Sequence, residues 1–172
     1  YQAGYVCGQY LIDQGHRNIA CITGWLETDD GNQRHQGFLS ALNDNNVNIP
    51  EELIFKGDYT YRKGYEGALS LLKRDLPFTA LFCGNDQSAM SAISAITNNG
   101  LEVPNDISVM GYDDMNIARY TSPPLTTVRI PFNRMAVSAT RRLLNLCYNL
   151  ELNIEYDFPI QLIERLSVKN IV

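Results

Sequence analysis

The sequence has only two histidines and four cysteines in 172 residues, and these scarcities close off several classes of chemistry. His16 and His35 stand apart from any G-x-S-x-G elbow, so no motif supports a nucleophile activated by a neighbouring base. Cys7, Cys21, Cys83 and Cys147 are widely spaced, without the CxxC or Cys/His pattern of a zinc site. Neither a G-x-x-x-x-G-K-[ST] loop nor a G-x-G-x-x-G turn after a strand is present to cradle phosphates. Taken together, these gaps argue against an enzyme and call for no cofactor and no metal.

Positive charge is also short. Lys and Arg total 14 against 19 Asp and Glu, a net charge of −5, and the densest basic pair is Arg141-Arg142 inside a helical pattern. Contact with a nucleic-acid backbone needs a basic face, so any DNA binding is expected to lie outside these residues. No apolar run approaches the roughly 18 residues of a membrane span, so no membrane partner is expected. The opening "YQAGYVCGQYLIDQGHRN" lacks both an initiator Met and the basic region of a signal peptide. It is expected to be internal to a longer polypeptide. Cys21 and Cys83 fall in apolar runs and are expected to be small buried hydrophobes in a reducing, cytoplasmic compartment.

What is present is an alternation. "NIACIT" (18–23), "ELIFKGD" (52–58), "TALFCGN" (79–85) and "ISVMGY" (107–112) are short apolar, β-branched runs bounded by turn-forming residues, hence buried strands. Between them, 32–46, 61–75 and 86–100 carry apolar residues at helical spacing, as in Phe38, Leu39 and Leu42 or Ala68, Leu69 and Leu72. Short connections and continuous apolar strands predict an α/β fold with a parallel sheet covered on both faces. A helix is predicted at 1–15 with no strand ahead of it. After Pro123-Pro124 the pattern changes to a strand at 126–130, a long helix at 132–150 and a last strand at 158–168.

In a parallel sheet, ligands sit beyond the carboxyl ends of the strands. That rule selects the residues from Gly24 onward, Trp25 and Asp30 among them, after the first strand, Asp58-Tyr59 after the second, Asn85-Asp86 after the third, and Asp113-Asp114 after the fourth. Arg34 opens the helix after the first loop, where a planar, many-donor guanidinium suits adjacent hydroxyls or a carboxylate; the alternative is an ordinary surface charge. Tyr59 and Trp25 offer aromatic faces to a ring, or simply packing. Asn85 brings one donor group and one acceptor. For the two aspartates four roles stay open: an acid/base pair, a hard-metal site, a cap on "DMNIARY", or acceptors for ligand hydroxyls. His16 is expected to cap a helix C-terminus, and His35 to lie exposed or at the pocket edge.

"NDQSA", "GLEVPNDISVMGYDD" and "SPPLTTVR", in this order and spacing, resemble the effector-binding core of the lactose/galactose repressor family. The resemblance runs along essentially the whole chain and leans toward the galactose-type repressors at "IARYTSPPLTTVR". It implies a periplasmic-binding-protein-like core of two subdomains, with a sugar or related small metabolite bound between them. On that plan 1–16 and 126–150 belong to an incomplete N-terminal subdomain, and 17–122 and 155–168 to the C-terminal one. The DNA-binding headpiece lies outside the sequence. By motif position, Arg34 corresponds to the family arginine that chelates effector hydroxyls, Asp113 to the carboxylate facing the ligand, Asn85 to an amide near it and Tyr59 to an aromatic wall. Asp30 falls in a loop that also contacts ligands. The implied protein is a homodimeric, cytoplasmic transcriptional repressor acting on operator DNA; the alternative is a periplasmic-type sugar-binding transport protein, which shares the fold.

Overall fold

The computed structural model describes residues 1–172. In chain order its elements are α1 (Gln2–Asp13), β1 (Ile19–Ile22), α2 (Asp29–Asp44), β2 (Ile54–Phe55), α3 (Tyr61–Leu72), β3 (Ala80–Cys83), α4 (Asp86–Asn98), β4 (Ser108–Met110), β5 (Thr127–Arg129), α5 (Phe132–Tyr148) and β6 (Gln161–Ile163). The first four strands form a parallel sheet in the order β2-β1-β3-β4. Every residue of β1, β3 and β4 is buried, because helices cover both faces of the sheet.

Side chains alternate across the strands, and the core divides accordingly. Ala20, Ile22, Leu81 and Cys83 face α3 and α4, meeting Leu71, Ala92, Ile93 and Ile96. Ile19, Cys21, Phe82 and Met110 face α1 and α2, meeting Cys7, Leu11, Phe38 and Leu42. Phe38 and Phe82 stack with ring centroids 4.5 Å apart. A fully buried side chain of this size contributes about 1.5–3 kcal/mol, so the two layers hold the sheet rigid beneath whatever its edge carries.

Several expectations shift. α2 starts at Asp29 rather than residue 32, because the Thr28 hydroxyl caps it by accepting from the Gly31 amide. The strand expected at 52–58 pairs only over Ile54–Phe55, since a 3₁₀ turn occupies Glu51–Leu53. The strand expected at 158–168 is ordered into a ladder only at Gln161–Ile163, antiparallel to β5. Residues 1–16, expected with a separate N-terminal subdomain, lie on the parallel sheet: α1 buries Cys7, Leu11 and Ile12 in the same cluster as β1 and β3. The residues at 126–128, expected in that subdomain too, extend the edge of the sheet. The Gly111 amide donates to the Thr126 carbonyl at 2.9 Å, and the Asp113 amide to the Val128 carbonyl at 2.8 Å. Beyond Arg129 the chain projects outward: α5 has one buried residue, Ser138, while Met135, Val137, Leu143 and Leu146 are exposed.

α1 and α2 cross backbone against backbone. A Cβ on Gly4 would stand 2.0 Å from the Arg34 carbonyl oxygen, and one on Gly37 2.0 Å from that of Tyr1. Helix propensity alone favours Ala over Gly by about 1 kcal/mol, yet Gly4→Ala is expected to destabilise the protein by about 1–3 kcal/mol, because the helices must separate. Urea denaturation measures this, and a gain in stability would contradict the close crossing.

Candidate functional site

The carboxyl ends of the parallel strands open on one edge, and the tails expected to converge there do so. Arg34, on the second turn of α2, points along that edge with its side chain 13% exposed. One terminal nitrogen donates to the Gly84 carbonyl at the end of β3. The guanidinium carbon lies 3.7 Å from the Tyr112 ring centroid and 5.2 Å from that of Tyr59. A desolvated guanidinium against aromatic faces is worth about 2 kcal/mol in each good contact. Its Nε is buried without a partner. The ion pair to exposed Asp30, at 3.6 Å, adds little to stability but places a second carboxylate at the rim.

Opposite Arg34, Asp113 sits on an elbow with φ 119°. No hydrogen bond or ion pair within 4.0 Å engages its carboxyl, although Arg34 is within electrostatic reach. Burial pushes its pKa up to about 7; Arg34 opposes the rise, and Asp86 and Asp30 add to it. Asp86, fully buried behind the elbow, is raised to about 6, chiefly by burial, against hydrogen bonds from Thr127 and the Met115 amide.

Tyr59 adopts φ 69°. Its ring fills the space over Gly24, where a Cβ would come within 1.9 Å of it, and its hydroxyl is buried and unpaired. Asn85 lies beneath. Its amide nitrogen donates to the Tyr59 carbonyl at 3.0 Å, and its oxygen accepts from the Ser88 amide at 3.0 Å, capping α4. Asn85 thus shapes the wall by holding Tyr59 and α4 together. Trp25, 54% exposed, stands edge-on to Tyr59 with ring centroids 6.4 Å apart. A cleft of about 460 Å³ runs from Asp113 along Arg129 to Phe132 and Arg134. A larger hollow of about 630 Å³ between α3 and α4, lined by Tyr61, Tyr65, Met90 and Ile93, lies away from these polar groups.

One residue of the edge, Tyr112, went unrecognised in the sequence, although its place at a strand end beside Asp113 could have marked it. Gly24 and Asp86 were placed among the strand tails but given no role of their own. Asp114 does not cap "DMNIARY". The 3₁₀ turn at Asn116–Tyr120 starts from Met115 without a side-chain cap, and the Asp114 carboxylate instead binds Arg129 and Arg165. His16 is not a helix cap either: it is buried, with Nδ1 bonded to the Thr79 hydroxyl and Nε2 to the Lys169 carbonyl. His35 is half-buried with an unpaired Nδ1. Cys7, Cys21 and Cys83 are buried free thiols, and Cys147 is an exposed one.

The sequence pattern of the periplasmic binding protein-like domain matches residues 9–168. The chain belongs to that family. Among its periplasmic binding protein-like relatives, the HTH-type transcriptional repressor PurR of Yersinia enterocolitica is 45% identical over 145 residues, 84% of this chain and 42% of that protein. The chain therefore spans less than half the length of this curated relative. A sugar-binding transcriptional regulator of the LacI family from Escherichia coli, solved in complex with phosphate, superposes with a TM-score of 0.90 at 34% identity, over 98% of this chain and 61% of that one. The lac repressor dimer bound to operator and an anti-inducer gives 0.86 at 29%, over 97% and 58%. The fold is that of the effector domain in LacI-family regulators, of which this chain covers part.

The raised pKa of Asp113 carries a sign. Between the ordinary carboxylate value and about 7 the folded protein holds a proton that the unfolded chain has released. That contribution to stability is fully present below the ordinary value and is lost as pH rises through 7. Asp113→Asn is therefore expected to be more stable than the parent at pH 8 by on the order of 2 kcal/mol, with the gain vanishing near pH 4. Chemical denaturation of both proteins across this range tests it; an Asn variant less stable at pH 8 would contradict the unpaired carboxylate.

Proposed function

We propose that this chain is the effector-binding part of a DNA-binding transcriptional repressor, and that its effector is a sugar or a related small metabolite. One observation carries the reading. Arg34, fixed in direction by Tyr112 and Gly84, faces an Asp113 carboxyl that no protein group satisfies. A donor fork and a free acceptor beside aromatic walls suit a ring with adjacent hydroxyls, each hydroxyl donating to the carboxylate or accepting from the guanidinium. Asp30 lies at the rim, Tyr59 and Trp25 form the wall, and Asn85 holds Tyr59 in place.

The two-subdomain plan follows from the same reading. The projecting segment 131–160, with its exposed apolar residues on α5, belongs to a second subdomain that closes over the cleft. Ligand can bias closure only through a difference in affinity between open and closed states. Closure then alters how a homodimer presents its DNA-binding headpieces to operator DNA in the cytoplasm. The acidic balance of the chain fits a division of labour in which phosphate contacts lie elsewhere. The group binds its ligand without transforming it. Free buried thiols at Cys7, Cys21 and Cys83 favour this over the transport-protein alternative, since oxidising compartments favour disulfides.

Calorimetric titration of the intact protein with neutral mono- and disaccharides tests the assignment. One sugar is expected to bind, and Arg34→Ala or Asp113→Asn to weaken it at least 100-fold, about 2.7 kcal/mol, with folding retained. Trp25, the sole tryptophan, sits on the wall and gives an independent fluorescence signal. Undiminished affinity in both variants would overturn the site.

A further inference from the structure

Asp113 and Asp114 are consecutive residues at positive φ, 119° and 55°. An aspartate tolerates the left-handed region, but two in succession persist only where the surroundings over-determine the backbone. The backbone supplies part of this. The Asp113 amide donates to the Val128 carbonyl, and the Met115 amide donates to Asp86 Oδ2 at 2.7 Å. The rest comes from the Asp114 side chain, only 2% exposed, which accepts from Arg129 Nε at 2.6 Å and from an Arg165 terminal nitrogen at 2.5 Å.

Both arginines are themselves held. Arg165 also donates to the Leu125 carbonyl at 2.7 Å, and Arg129 to the Gln161 side chain at 3.1 Å. Arg129 ends β5 and Arg165 follows β6 by two residues. These are the two strands by which the chain leaves the sheet for segment 131–160 and returns. One buried carboxylate between two guanidinium groups therefore bolts the ligand-facing elbow to both crossovers. Burial pushes the Asp114 pKa up, but hydrogen bonds from Arg165 and Arg129 outweigh it and hold the group below the ordinary carboxylate range. The clamp stays charged while Asp113 titrates.

We propose that Asp114, through Arg129 and Arg165, is a positioning residue: it sets the direction of the Asp113 carboxyl and ties that direction to the geometry of the two crossover strands. The inference rests on the reading of Asp113 as a ligand contact. It assigns the second aspartate of the pair to the arginine clamp and the first to the ligand.

The test uses the intact protein with labelled aspartate carboxyls, following the Asp113 titration by NMR in the parent, Asp114→Glu and Arg129→Gln. The charges that act most on Asp113 are Arg34, Asp86 and Asp30, and these three are not altered; Asp114, Arg119, Arg129 and Arg134 line the same cleft. Asp114→Glu preserves charge but lengthens the arm by a methylene. Arg129→Gln removes a positive charge, which by electrostatics alone would raise the Asp113 midpoint. Release of the elbow into water lowers it instead. Both variants are expected to bring the midpoint down from about 7 by roughly one unit, and to weaken whichever sugar of the panel binds the parent by tenfold or more. A midpoint unchanged or raised in both overturns the proposal, even if their melting temperatures fall. Arg129 is 45% exposed and Asp114 keeps its Arg165 partner without it, so folding is expected to survive its replacement and this arm decides the matter should the Asp114 variant not fold. If no sugar binds the parent, the functional reading fails and the midpoints still decide the positioning role.

Discussion

The edge at the carboxyl ends of the parallel strands depends on one buried cation. The Arg34 guanidinium lies between the Tyr112 and Tyr59 rings, with a terminal nitrogen on the Gly84 carbonyl. A charge so placed would be costly without these partners, since desolvation must be offset by dipoles and aromatic faces. It is also the positive charge that acts most on Asp113, whose pKa, raised to about 7, reflects burial that Arg34 offsets only in part. Removing the cation would therefore disturb both the aromatic wall and the acid facing it.

The rigidity that makes this arrangement possible comes from beneath. β1 and β3 are buried along their whole length, and α1 crosses α2 at Gly4 and Gly37 closely enough to fix the register of the helix carrying Arg34. From the other side, Asn85 ties the cap of α4 to the backbone of Tyr59. The site thus stands on four strand ends and two helix starts. This suits recognition by preorganised groups, in which little ordering entropy is left to be lost when ligand arrives.

Above that base the structure changes character. Where the sheet ends at β4, the chain is carried away along β5 and brought back along β6, and α5 lies outside with its apolar residues uncovered. The two crossovers meet the carboxyl edge of the sheet at a single place, the Asp113-Asp114 elbow. A binding event there and a displacement of the outer segment share the same few bonds, so the fold gives a short mechanical route between them.

The parallel α/β sheet, the covered strands and the convergence of tails were legible in the residues, because apolar runs and helical spacing are local signals. So were Arg34, Tyr59, Trp25, Asp30 and Asp113 as members of one edge, since their position after each strand follows from topology alone. The supporting role of Asn85 was not legible, because it depends on which backbone lies beneath it. Neither was the packing of α1 on the sheet, which rests on contacts from Cys7 and Leu11 to β1 and to the distant β3. The sequence by itself determined the order of elements and the edge on which these polar and aromatic groups gather, through periodicity and turn chemistry. Only the tertiary structure decided that the second of the two adjacent aspartates is held by two arginines. The elbow at Asp113-Asp114 leaves strand geometry, and the partner each side chain finds is brought by residues far along the chain.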